Sequence, residues 1–163
     1  MPIRQWMSWE GGVDLVAVTS PDLQMPDVMV HVARMVHTPV GSAPSGMVLY
    51  QPDPGGAPQV MGFVSTDERV GAYFGPNIFA GTPFENAPVL KASIEIRLDL
   101  PGSVSSIVKV GGTTIEVMLS DLKASELINR SPATMPPFHQ QGVEAPAGRA
   151  TLRVNGKDVS IIV

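Results

Sequence analysis

A chain of 163 residues suffices for one domain with a sizeable core, and folding should bury roughly 70% of the surface its unfolded form exposes. Charged residues make up only 16% of it and Gly and Pro contribute 16 each, a composition of many short elements joined by turns. The lack of Cys excludes disulfides, thiolate metal sites and thiol nucleophiles, and a net charge of -4 with 11 scattered basic residues offers no footprint for a nucleic-acid backbone. No stretch approaches the ~18 apolar residues of a membrane span, and the N-terminal residues lack the apolar segment of a signal peptide. A cytoplasmic protein with neither membrane nor nucleic-acid partners is therefore expected.

In chain order, residues 13–19, 28–37, 46–51, 59–66 and 70–74 place β-branched or aromatic side chains between Gly, Pro, Asp or Ser and read as strands. Asp27 could cap a helix over 28–37, but four Val there favour a strand, because branching at Cβ restricts χ1 in a helix. Thr66-Asp67-Glu68-Arg69 reads as a charged turn. Residues 75–88, holding Phe79 and Phe84, read as irregular.

The sharpest pattern lies at 89–100, where Leu90, Ala92, Ile94, Ile96, Leu98 and Leu100 alternate with Lys91, Ser93, Glu95, Arg97 and Asp99. A period of two over this length defines a strand with one dry and one wet face. Two hairpins follow: 104–110 with 113–119 around Gly111-Gly112, and 150–154 with 159–163 around Asn155-Gly156, a pair suited to a type I′ turn. Between them, Ser120 is placed to cap one short helix near 121–130, with Asp121 at its positive end, Leu122, Leu127 and Ile128 on one face, and Pro132 as its stop. Residues 131–148 show no periodicity and read as a long Pro-rich loop or arm. The expected architecture is a mostly β, single domain over 1–163: an antiparallel lipocalin-like barrel or a β-sandwich of about nine or ten strands.

His31 and His37 share one face of the expected strand but stand about 20 Å apart at ~3.3 Å per residue, so neither a metal site nor another cofactor is expected. The acid/base candidates are His31, Asp67, Glu68, Tyr73 and His139, with Arg69 as an anion partner. Met35, Met61, Phe79 and Phe84 are the candidate apolar contacts, since thioethers and rings line adaptable pockets. These residues point to a barrel enclosing a small, largely apolar molecule, as a binding protein or as a cofactor-free lyase, isomerase or cyclase. The alternative is a structural or assembly module that forms a homo-oligomer or docks a partner protein. It rests on the low charge density, the arm, the Trp6/Trp9 pair and the apolar terminus Ile161-Ile162-Val163.

Overall fold

Valine at alternate positions builds the first sheet: in β1 (Ser8–Ala17) and β2 (Val28–Thr38), Val13, Leu15 and Ala17 pair across to Val32, Val30 and Val28. The sheet, in a computed structural model that describes residues 6–130 and 140–163, continues through β3 (Gly41–Tyr50), β4 (Val60–Ser65) and the short β5 (Val89–Lys91). All neighbours in it are antiparallel except β5, which runs parallel to β4.

A second five-stranded sheet is made from β6 (Ser93–Asp99), β7 (Ser103–Val110), β8 (Thr113–Leu122), β11 (Ala147–Val154) and β12 (Lys157–Val159), in the order β12-β11-β8-β7-β6. One core cluster joins the facing sides: Val13, Leu15, Val30, Val48 and Val64 from the first sheet, and Val108, Ile115, Val117 and Leu152 from the second, each at most 2% exposed. Of the two architectures open to the sequence, the chain takes the sandwich. Side chains fill the space where a barrel would hold a lumen.

The two sheets cross. At the start of β6, Ala92 N–H donates to Ser65 O at the end of β4, whereas Leu98 Cδ1, six residues on, lies against Gly11 of β1 on the far edge of the first sheet. β6 thus spans the first sheet from one edge to the other, an orthogonal packing in which a strand switches sheets at the corner. Residues 89–100, one strand by their alternation, are accordingly divided at Ala92 between β5 and β6.

The helix is not where the sequence places it. Residues 121–130 are not helical: Asp121, next to last in β8, is left-handed at φ 55, which a helical first turn excludes, and β9 (Glu126–Arg130) pairs with β10 (Gln140–Glu144). A ten-residue helix is marginal without an apolar face packed on a surface, and of its expected face only Leu122 reaches the core, while Leu127 stays exposed. The actual helix, α1 (Glu68–Ile78), occupies the segment read as the strand 70–74, and the expected turn at 66–69 is its N-terminus. Asp67 is the N-cap, its side chain accepting from Arg69 N–H at 2.9 Å, and Ser65 Oγ donates to Asp67 O while bonded to Ser45 Oγ at 2.8 Å. Val70 and Phe74 then bury together with Ala33, Val36 and Ala43 on the outer face of the first sheet. Gly71 and Gly75 concealed this helix from the sequence reading, yet they permit it: a Cβ at Gly75 would overlap the ring of Phe63.

A register shift between Ala33 and Val36 changes which face alternate residues occupy. Val28, Val30 and Val32 face the second sheet, whereas Ala33 and Val36 both face α1. His31 and His37, placed on one face by simple alternation, therefore lie on opposite faces. The Asn155-Gly156 turn forms as expected, with φ of 51 and 79. The last expected strand is shorter than 159–163: β12 ends at Val159, and Ile162 makes a single bridge to Val18. No helix among the described residues is long and apolar enough to cross a membrane.

Candidate functional site

The acid/base candidates divide between the two ends of α1. At its N-terminus, Asp67, Glu68 and Arg69 border an open cleft of about 430 Å³ with Thr66 and Lys91. Asp67 is committed to the cap and sits 3.6 Å from Arg69 Nη2. At the other end, Phe79 stacks at centroid distances of 6.3 Å from His31, 5.7 Å from Phe63 and 6.4 Å from Phe84. Twelve residues at ~1.5 Å each put Asp67 about 18 Å from Phe79, so His31 and the carboxylates do not share a reaction centre.

His31 Nδ1 lies 2.7 Å from Asp14 Oδ1, its cross-strand partner in β1. That contact orients the imidazole, but among the described residues no hydroxyl is bonded to it as a nucleophile would be. Tyr73 is half-buried on α1, and its hydroxyl is enclosed without a hydrogen-bond partner. Met35 is half-buried in the irregular stretch of β2, and His37 Nδ1 approaches Ser42 Oγ at 2.8 Å. Met61 lines a second open cleft, of about 560 Å³, with Gln59, Leu90, Lys91, Val110 and Thr113. His139 lies outside the described residues, as does half of the loop expected at 131–148; the other half holds β10 and the start of β11. No group of three or more His, Asp or Glu gathers as a metal site among the described residues. Burial pushes the Tyr50 hydroxyl up, and the charge of Asp27 adds to this. Asp27 is itself buried and accepts from Thr19 N–H and Thr19 Oγ1, so this pair belongs to the core.

What converges is apolar surface, at the edge where β1 meets the end of the second sheet. The alternation of 89–100 carries on past the edge of the first sheet, so Ile94 and Ile96 pack on the core while Leu98 and Leu100 remain 41% and 64% exposed. Trp9, paired with Val36 on β2, is 41% exposed, and Trp6 precedes it at 49%. Met7 between them packs on the α1 cluster. Val104 pairs with both Leu98 and Leu119, so β8 passes the same boundary and continues to Leu122, opposite Ala147.

From that root rises the hairpin arm of β9 and β10, a two-stranded sheet of its own. Its register sets Leu127 directly opposite Val143, and this cross-strand pair is 88% and 63% exposed. An isolated two-stranded ribbon is marginal in water, and its apolar pair gains nothing until another surface covers it. The alternation of Leu98 and Leu100 was legible in the sequence, but it promised core. Leu127 and Val143 carry a signal only once the hairpin register is known.

Comparison with protein-family models, with curated proteins and with solved structures found no match.

Proposed function

We propose that this chain is an assembly module, whose physiological act is to join a protein surface through the β9–β10 arm and the apolar edge beside it. The observation that carries this reading is the exposed Leu127/Val143 pair on an arm that no sheet but its own supports. Leu98 and Leu100 extend the apolar surface at the end of the second sheet from which the arm leaves. Interfaces of this kind place aromatic and aliphatic anchors at the centre and polar groups at the rim, and Glu126, Arg97 and Arg34 supply such a rim.

The test is native mass spectrometry of the purified protein from low to high micromolar concentration. A defined oligomer supports the reading, or a co-purifying protein partner in stoichiometric amount. A bare monomer throughout that range removes it.

A second reading, a small and largely apolar ligand, is favoured by the cluster of His31, Phe79 and Phe84 and by the Met61 cleft. It now concerns an outer surface and not a lumen, since the core fills the space between the sheets. A small-molecule mass lost on denaturing the same sample is the result that would promote it.

A further inference from the structure

We infer that the arm of one copy adds as a strand to the β6 edge of a second copy; this rests on the assembly reading and names its partner. The second sheet ends at β6, whose outer backbone edge of seven residues has no neighbour among the described strands. Such an edge is a template for another strand unless something covers it.

The two surfaces match over two adjacent residues of each strand. On β6, the inward side bears Ile94, Ile96 and Leu98, and the outward side bears Glu95, Arg97 and Asp99. On β9, Leu127 stands on one side with its partner Val143, and Glu126 stands on the other with Ile128. Laid antiparallel with Glu126 opposite Arg97, β9 sets Leu127 opposite Ile96 and diagonal to Leu98, so one apolar and one oppositely charged pair form side by side, with Ile128 beyond them opposite Glu95 and Asn129 opposite Ile94. Arg97 already lies against Glu95 at 2.8 Å with 70% of its side chain exposed, which leaves its guanidinium able to bridge two carboxylates.

Within one chain the arm leaves Leu98 and Leu100 exposed, and they leave it exposed. The chain therefore carries both the inserting strand and the edge that receives it. A second copy satisfies both at equal stoichiometry. The contact is heterologous, since β9 and β6 are different surfaces, so repetition closes a ring or extends a filament.

The absence of Cys permits a direct test. Glu126→Cys and Arg97→Cys proteins, both altered at exposed side chains, are mixed and treated with a short bis-maleimide. The expected result is a covalent heterodimer that neither protein forms alone and that Arg153→Cys, on β11, does not form with Glu126→Cys. Arg97→Glu should dissociate the wild-type assembly, and Glu126→Arg in the same chain should restore it. If the wild type is oligomeric but the mixed pair does not cross-link, strand addition is overturned while the assembly reading stands. If the wild type is monomeric, both are overturned.

Discussion

Replacing Leu127 and Val143 together by Ser should dissolve the assembly while leaving the fold intact. The exposures of 88% and 63% measure how much apolar side chain a partner can still cover, in total about one and a half side chains' worth. Full burial of a Leu or Val is worth about 1.5–3 kcal/mol, so their loss should weaken association by roughly 3 kcal/mol. That is about a hundredfold in Kd, since each 1.4 kcal/mol is about tenfold. Neither residue belongs to either core cluster, so thermal unfolding of the monomer should stay within about 0.5 kcal/mol of wild type. Sedimentation velocity over a concentration series measures the first quantity and calorimetry on dilute protein the second. A shift in Kd below about tenfold would refute the reasoning, because the exposed pair would then contribute less than half of the roughly 3 kcal/mol that its burial implies. A matching fall in Tm would do so too, because the pair would then be supporting the fold.

Gly75→Ala places a methyl group against the ring of Phe63, which is fully buried under α1, and overpacking of this kind costs about 1–3 kcal/mol. Calorimetry should show Tm lowered by several degrees, and an unchanged Tm would mean that α1 is free to move off the sheet. Asp67→Ala removes the cap of α1 and should cost about 1 kcal/mol in urea unfolding, with Asp67→Ser recovering most of it; equal losses in both would argue against capping. Tyr50 titrates higher in the folded state than in the unfolded chain, so its contribution to stability is whole below pH ~10 and drains away as the pH rises through the folded value. Tyr50→Phe should flatten that alkaline decline in Tm, and an identical decline in both proteins would remove Tyr50 as its source.

Much of the fold was legible because alternation is a local property. The strands of 28–37, 104–110 and 113–119, and the Asn155-Gly156 turn, follow from side-chain period and from backbone angles that the residues themselves favour. A mostly β fold therefore followed from the chain alone. The choice between barrel and sandwich did not. It depends on whether the outer strands meet, and β6 instead crosses from one sheet to the other at Ala92.

Position in the tertiary structure also decided which apolar residues are core and which are surface. Ile96 and Leu98 follow the same alternation, but the first sheet ends beneath β6 near Gly11, so one is covered and the other only partly so. Leu127 and Ile128, read with Leu122 as one face of a helix, form a hairpin because the strand partner is Val143 and its neighbours, and pairing across some fifteen residues is invisible to local propensity. α1 was missed for the converse reason: glycine is a poor helix former in isolation, and only the close approach to Phe63 and Ser65 makes Gly71 and Gly75 the residues that fit. Local chemistry determined that this chain is built of strands and turns; where the sheets end, and hence which apolar side chains are left uncovered, was decided only by how they pack.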